Sequence, residues 1–371
     1  MAKKIVLGLS GGVDSAVSAL LLKESGWDVT CVFMRNWDAS ANYDISGNPT
    51  IDDEICPQEQ DFLDAQKVAD QLGLKLIKVN FTQIYWDKVF NYFLSEYAKG
   101  RTPNPDVLCN NEIKFKAFIQ WAQENLETDY IAMGHYATIK EVNGVCQLAR
   151  SKDALKDQTY FLSNLSLQQI QKVVFPIGNL LKEEVRALAI KNNLAVATKK
   201  DSTGICFIGE RNFSLFLANY LQPVVGDIRS LDGTFLKKHQ GLINYTIGQR
   251  KALGLGGSRD STKPWYVVKK DLSTNTLYVE REGHPYLISN NAILEQVVLR
   301  MQPTQKLTCK FRHRGAYVNC SLKVLEDNKI HIFYDDSKAV TPGQFCSIYQ
   351  DDICLGSGII DLVFYNDEAR A

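Results

Sequence analysis

Six residues, Ser10-Gly11-Gly12-Val13-Asp14-Ser15, stand between the first apolar run of the chain and its first helix-forming segment. They restrict the fold more than any other feature. Adjacent glycines at a strand-to-helix turn let the backbone wrap an anion closely, and the new helix points free N–H groups and its positive dipole end at that anion. Ser10 and Ser15 add hydroxyl donors, and Asp14 is placed to hold a Mg²⁺ that bridges phosphates. No Gly-Lys-Ser/Thr follows, so this is not a Walker A loop, and the adjacency of Gly11 and Gly12 excludes G-x-G-x-x-G. A bare Gly-Gly is most often an ordinary turn; the full six-residue pattern opening a helix favours phosphate binding.

The surrounding periodicity supplies the fold class. Strands are expected over residues 3–9, 29–34, 76–79 and 130–133, and helices over 14–25, 59–72 and 112–124. Another helix carries Trp86, Val89, Phe90, Phe93, Leu94 and Tyr97 at helical spacing. Strands alternating with helices predict an α/β unit, a doubly wound parallel sheet covered on both faces, with ligand at the carboxyl ends of its strands. Past Asp201 the pattern changes. Residues 211–280 are short segments broken by Gly and Pro. Short alternating strands over 307–313, 317–324, 330–334, 345–349 and 354–360 predict a small antiparallel β-barrel. The expected domains are therefore 1–206, a small central domain over 207–281, and a carboxyl-terminal barrel over 282–371. The polar stretch 36–58 reads as a mobile loop.

Charge and cysteine usage narrow the function classes. Lys plus Arg equals Asp plus Glu at 42 each, so bulk charge does not drive binding to nucleic acid. Residues 237–270 nevertheless hold Lys237, Lys238, Arg250, Lys251, Arg259, Lys263, Lys269 and Lys270 against Asp260 alone. Lys306, Lys310, Arg312 and Arg314 form a second basic stretch. Either stretch alone would be an ordinary solvated face; two on appended domains fit an RNA backbone track. No apolar run reaches the ~18 residues of a membrane span. The run after Met1-Ala2-Lys3-Lys4 is too short for a secretory signal. Nine scattered cysteines with no C-x-x-C argue against a disulfide scaffold or a structural zinc site. A cytoplasmic protein without a membrane partner is expected, acting as a monomer.

Two cysteines stand in polar, turn-rich surroundings. Cys109 closes Gly100-Arg101-Thr102-Pro103-Asn104-Pro105-Asp106-Val107-Leu108-Cys109-Asn110, whose prolines and turn formers predict a fixed loop. A helix starting at Glu112 would favour its thiolate. Cys206 lies in Ser202-Thr203-Gly204-Ile205-Cys206-Phe207-Ile208-Gly209-Glu210-Arg211, a loop entering a short strand. A lone cysteine is usually a small buried hydrophobe, which is the reading for Cys31, Cys146, Cys309, Cys320, Cys346 and Cys354, with Cys56 in the 36–58 loop.

The six-residue loop resembles the PP-loop of ATP pyrophosphatases, which cleave ATP between its α- and β-phosphates and adenylate a substrate. That likeness implies an adenine nucleotide alpha hydrolase-like sheet. It also implies ATP contacts from Gly8, Leu9, Ser10, Gly11, Gly12, Val13, Asp14, Ser15, Met34 and Gly134, the last two at strand ends near adenine and ribose. Taken with GRTPNPDVLCN (100–110), MGHYA (133–137), KDQTYFL (156–162), STGICFIGER (202–211), YTIGQRKALG (245–254) and TPGQ (341–344), the whole chain resembles the tRNA-specific 2-thiouridylase family.

That resemblance implies exchange of the wobble uridine 2-oxygen for sulfur, with ATP as co-substrate and Mg²⁺ as cofactor. It makes Cys109 the nucleophile, Cys206 the carrier of a persulfide intermediate and Asp14 a catalytic residue. Asn104, Pro105 and Asp106 would face the target base; His135, Lys156, Asp157, Gln158, Arg312, His313 and Gln344 would approach the tRNA. A persulfide-carrying protein would donate the sulfur. Two other classes remain open on the loop alone. One is a synthetase adenylating a small metabolite, separable by ATP–pyrophosphate exchange with and without tRNA. The other is a non-catalytic RNA-binding or sulfur-carrier protein, which would release no AMP.

Overall fold

The structure, a computed structural model, describes residues 2–201, 204–206, 208–256, 262–304 and 306–370. Ser202, Thr203 and Phe207 of the Cys206 motif, and Arg259 and Asp260 of the basic stretch, lie outside the described residues.

Strand β1 (Lys4–Gly8) is apolar on both faces because it lies inside a sheet. Around it run β2 (Asp28–Arg35), β3 (Lys75–Asn80), β4 (Tyr130–Met133) and, past a hairpin of β5 (Thr138–Val142) and β6 (Val145–Ala149), the short β7 (Val173–Val174). The order β3-β2-β1-β4-β7 is parallel throughout. Alternation along β1 splits the core. Ile5 and Leu7 pack with helices α1 (Val13–Glu24), α2 (Pro57–Leu72) and Lys182–Lys191. Val6 faces the aromatic helical residues 82–98 and the helical residues 105–125. The order reverses at β1, between β2 and β4, which opens the switch-point crevice directly above the phosphate loop.

The central unit is a four-stranded sheet, ordered β10-β11-β8-β9, from β8 (Gly226–Arg229), β9 (Phe235–His239), β10 (Trp265–Asp271) and β11 (Thr276–Arg281). Its own core contains Ile228, Leu242, Val267, Leu277 and Val279. Six strands then close a barrel: β12 (Ile288–Leu299), β13 (Leu307–Lys310), β14 (Val318–Val324), β15 (Ile330–Lys338), β16 (Phe345–Gln350) and β17 (Ile353–Tyr365). Every neighbouring pair is antiparallel, and β12 pairs with β17 to seal the ring. Five of these strands follow the alternating pattern read from sequence. The pattern missed β12, whose polar Ser289, Asn290, Asn291, Glu295 and Gln296 and two register shifts against β17 mask its period of two.

The first unit and the barrel share a sheet. Hairpin β5–β6 adds to β17 through Leu148 opposite Cys354 and Ala149 opposite Ile353. Buried Arg300 locks the seam by donating to the carbonyls of Ser163, Leu165 and Cys354. This welding puts barrel residues beside the 100–110 and 156–160 segments.

Residues 36–48 correct the expectation of a mobile loop over 36–58; of the remainder, 51–57 are exposed. Trp37 is 3% exposed and packs against Tyr85, Trp86, Phe90 and Phe216. Asp44, fully buried, accepts from Trp37 Nε1 at 3.0 Å and from Arg211 Nε and a terminal guanidinium nitrogen at 2.9 and 2.7 Å. Polar composition concealed an aromatic anchor and a buried ion pair that fasten the segment to the helix Phe213–Ala218.

Candidate functional site

The phosphate loop sits where β1 ends. Gly12 caps α1 with no side-chain hydrogen bond, so the first N–H groups of the helix keep their capacity for an anion. Gly11 takes φ +75° and runs against the carbonyl of Asp61, a backbone position that only glycine fills without strain. Gly134, just past β4, comes so near that an added Cβ would lie 2.9 Å from Ser15 N. Ser15 Oγ donates to Gly12 O at 3.0 Å and lies 3.1 Å from Ser10 Oγ. Gly8, Leu9 and Val13 are backbone framing, Leu9 and Val13 being buried, and Met34 is buried at the end of β2.

Two lysines that sequence reasoning missed complete this end. Lys182 Nζ donates to both carboxylate oxygens of Asp14 at 2.7 and 2.9 Å and meets Asp201 at 2.7 Å. Tyr136 OH also donates to Asp14, at 3.0 Å. Lys199 Nζ donates to Gly11 O at 3.1 Å and to Asp61 and Asp64. Neither lysine belongs to a local motif. The signal available was Lys182 in the first turn of a helix, where a cation opposes the helix dipole. Asp14's oxygens are thus taken by an ammonium and a phenol. Among the described residues no group of three His, Cys, Asp or Glu side chains could hold a metal.

The second part of the site joins the two cysteines. The helical residues 105–125 begin at Pro105, capped by Asn104 Oδ1 accepting from Val107 N at 3.3 Å. This corrects the reading of 100–110 as loop throughout with a helix starting at Glu112. Proline is well suited to a first helical turn, so Pro105 opens the helix that its neighbourhood seemed to forbid. Cys109 therefore lies buried inside the helix, not before it. Burial and its contact with Cys206 push its thiol well above the ordinary value, the reverse of the thiolate expected from a helix dipole.

Cys206 sits on a tight turn closed by Ile205 and Gly209, which exchange backbone hydrogen bonds of 3.1 and 2.8 Å. Its N–H donates to Asp106 Oδ1 at 3.1 Å and its carbonyl accepts from Tyr85 OH at 3.0 Å. These contacts bring Cys206 Sγ within 3.6 Å of Cys109 Sγ across 97 positions of sequence. The Cys206 thiol is held below the ordinary value by the hydrogen bond from Cys109 and by Lys114, which outweigh its burial. Burial raises Asp106, against the relief that the Cys206 N–H gives its carboxylate.

The structure distributes the expected tRNA-facing residues unevenly. Asn104 and Gln344 meet at 3.4 Å, and Gln344 also donates to the carbonyls of Thr102 and Pro103. Pro105 and Asp106 are half-buried beside them. Gln158 accepts from Tyr136 N at 2.9 Å. Lys156 pairs with Asp201 at 2.9 Å, and exposed Arg312 donates to Ala339 O. His313 is half-buried, its ring 2.9 Å from Asp157 O. Asp157 itself is buried, accepting from Ser151 N and the Thr159 hydroxyl. His135 is buried against Phe115 and Phe175, where desolvation holds it neutral, so as placed it packs the core and does not face a surface.

Of the basic stretches, Lys237, Lys238, Arg250, Lys251, Lys263 and Lys269 are exposed, as are Lys306, Arg312 and Arg314. Lys270 is a correction: its ammonium donates to Gly100 O at 2.9 Å, and burial lowers it to about 8. It ties the central unit to the Cys109 segment. Lys310 is buried over the Tyr317 ring. All nine cysteines are free; Cys31, Cys309, Cys346 and Cys354 are buried, Cys146 and Cys320 half-buried and Cys56 exposed. No described helix is long and apolar enough to cross a membrane.

Comparison with known proteins adds independent findings. Residues 3–210 match the family described as tRNA methyl transferase HUP domain, 214–281 the tRNA methyl transferase PRC-barrel domain, and 292–360 the Aminomethyltransferase beta-barrel domain. The chain is 57% identical to the protein named tRNA-specific 2-thiouridylase MnmA of Acholeplasma laidlawii (strain PG-8A), covering 100% of this chain and 99% of that one. It is 50% identical to tRNA-specific 2-thiouridylase MnmA 1 of Geobacillus kaustophilus (strain HTA426), covering 100% and 98%. It is 49% identical to the like-named protein of Proteus mirabilis (strain HI4320), covering 97% of each.

Proposed function

This chain belongs to the tRNA-specific 2-thiouridylase family, and from that premise we propose that it exchanges the 2-oxygen of the wobble uridine of tRNA for sulfur in an ATP-dependent reaction. It is an enzyme of the tRNA sulfurtransferase class. The observation that carries the mechanistic reading is the 3.6 Å approach of Cys109 and Cys206 sulfurs beside a half-buried carboxylate. A methyl transfer, the chemistry in the family labels of residues 3–281, gives that thiol pair no task.

The uracil 2-oxygen is a poor leaving group. ATP bound over Ser10–Ser15 would transfer its adenylyl group to that oxygen, breaking the bond between the α- and β-phosphates and releasing pyrophosphate. The α1 N-terminus and the ammonium of Lys182 stabilise the negative charge that develops there. Because Asp14 is engaged by Lys182 and Tyr136, Mg²⁺ would enter held by the phosphates of ATP, and no step is assigned to it. Cys206 then presents a persulfide. Its outer sulfur replaces the adenylylated oxygen at C2, releasing AMP, either while attached or after leaving as sulfide. In both routes Cys109 attacks the inner sulfur and a Cys109–Cys206 disulfide remains, which an external thiol must reduce. Forming it requires the sulfurs to close by about 1.5 Å, within reach of side-chain rotation.

The test is mass spectrometry of tRNA nucleosides after incubation with enzyme, ATP, Mg²⁺ and a persulfide donor. 2-Thiouridine formation with stoichiometric AMP supports the reading; AMP without thiouridine would reject it.

Two further outcomes follow from the division of the molecule. Asp14→Ala, Ser10→Ala and Lys182→Met should each lower AMP formation by about tenfold or more while tRNA affinity changes little. Loss of tRNA binding by any of them in folded protein would end that division of labour. Affinity for tRNA should fall steeply with salt as Lys and Arg release phosphate counterions, and reversing Lys237, Lys251 and Lys263 to Glu should flatten the slope. Lys270→Met should not alter it, since the half-buried Lys270 ammonium is held by the Gly100 carbonyl. An affinity indifferent to salt would contradict the RNA track.

A further inference from the structure

Three motifs of the sequence, GRTPNPDVLCN, YTIGQRKALG and TPGQ, meet at one short segment. Residues 100–104 join the helix Asn91–Ala98 to the helical residues 105–125, which carry Asp106 and Cys109, and belong to no helix or strand themselves. A backbone without a ladder must find its hydrogen-bond partners elsewhere. Here they come from both appended units. Half-buried Lys270 of β10 donates to Gly100 O at 2.9 Å. Thr102 N donates to Pro342 O at 3.0 Å, Thr102 O accepts from Gln344 Nε2 at 2.8 Å, and the Thr102 hydroxyl lies 3.2 Å from that of Thr246. Pro103 O accepts from the same Gln344 nitrogen at 3.2 Å, and Asn104 Nδ2 donates to Gln344 Oε1 at 3.4 Å.

Arg101 is the strongest fastening. One of its terminal nitrogens lies 2.9 Å from Asp361 of β17. The other lies 3.2 Å from Glu295 of β12 and donates to Ile360 O at 3.0 Å. The Arg101 side chain is 17% exposed, so water and salt screen these pairs poorly. The barrel turn that receives the segment is shaped for it. Gly343 takes φ +90°, and an added Cβ would lie 3.0 Å from the N, C and O atoms of Thr102. Gln344, expected to approach tRNA, spends its amide nitrogen on this segment.

We propose that residues 100–104 are a strap through which the central sheet and the barrel position the Asn104–Asp106 turn and Cys109, with Arg101 and Lys270 as its positioning residues. This rests on the reading of that turn as the one that faces the uracil. Both residues act through the backbone they hold. In the same reading, exposed lysines of the central unit and the barrel grip the tRNA, so the grip and the catalytic turn share one frame. Misplacing a reacting group by about 1 Å can cost about a hundredfold in rate. Fastening each residue from Gly100 to Asn104 to the appended units removes that freedom before tRNA arrives.

The experiment is steady-state thiolation by the full-length protein with tRNA varied. Beside it, the Cys109–Cys206 dithiol–disulfide equilibrium is measured against glutathione, which needs neither tRNA nor ATP. Lys270→Met and Arg101→Met should each lower kcat about tenfold or more, with KM for tRNA within about threefold. Both should move the equilibrium about threefold or more toward the dithiol. Arg101→Lys, which keeps the cation, should recover part of each loss. Gly343→Ala changes no charge and should act as Arg101→Met does, by pushing the barrel turn off Thr102; it carries the test if Arg101→Met does not fold. A purely structural role would lower melting while kcat per folded molecule and the equilibrium stay put. Unchanged kcat or an unmoved equilibrium in folded Lys270→Met and Gly343→Ala overturns the proposal, as does a loss carried by KM alone. If the wild type forms no 2-thiouridine, the thiolation reading falls, and the glutathione equilibrium alone decides on the strap.

Discussion

Cys206→Ser is expected to abolish thiolation and to accept no persulfide, yet to keep releasing pyrophosphate and forming adenylylated tRNA from ATP. Cys109→Ser is expected to accept the persulfide and stall before 2-thiouridine appears, because nothing opens the inner S–S bond. The two variants therefore fail on opposite sides of the same sulfur transfer. The seven other cysteines should each tolerate serine with modest costs, largest for those buried in the barrel and in β2. Persulfide labelling and nucleoside mass spectrometry on all nine Cys→Ser variants give the answer. Full thiolation by Cys109→Ser removes it as nucleophile, and full thiolation by Cys206→Ser removes the carrier assignment.

Breaking the Asp44–Arg211 pair should produce the largest loss of stability from a single substitution outside the site. The two side chains are 0% and 5% exposed, and the guanidinium grips the carboxylate through two nitrogens. Asp44→Ala leaves a buried guanidinium without its anion, which costs about 3–5 kcal/mol. Denaturant unfolding followed by tryptophan fluorescence is the measurement, since Trp37 donates to Asp44 and packs beneath the segment. Replacing both partners with leucine should cost less than either single change, because no charge is then stranded. A loss below about 1 kcal/mol for Asp44→Ala would mean that the pair is solvated in solution. Arg211 lies five residues after Cys206, so the same variant should also slow sulfur loading by loosening the turn that holds it.

The readable part of the molecule was the part with short periods. The alternation of apolar runs placed β1 to β4 and five of the six barrel strands, because burial on one face or both imposes a period of two or a continuous run. The phosphate loop was legible for the same local reason: a strand, two glycines and a helix are contiguous, and their chemistry follows from backbone geometry alone. Where local rules compete, the sequence misled. Pro103 and Pro105 read as a loop, yet Pro105 is the first residue of a helix capped by Asn104. Residues 36–58 read as free, yet Trp37 and Asp44 are among the most buried residues in the chain. A polar stretch shows its composition and does not show the partners, 167 positions away in the case of Arg211, that anchor it.

The sequence by itself determined the class of sheet, the anion-binding loop at its switch point and the two cysteines worth suspecting. Only the tertiary structure decided what those cysteines are to each other. Their 3.6 Å approach depends on Asp106 and Tyr85 gripping the backbone of Cys206. It reversed the ionisation expected at Cys109, because desolvation inside a helix outweighs the dipole there. It also brought Lys182 and Lys199 to the phosphate loop from 168 and 188 positions away. Local periodicity is a property of neighbouring residues. Charge balance at a buried site is a sum over neighbours in space, and that sum exists only once the chain has folded.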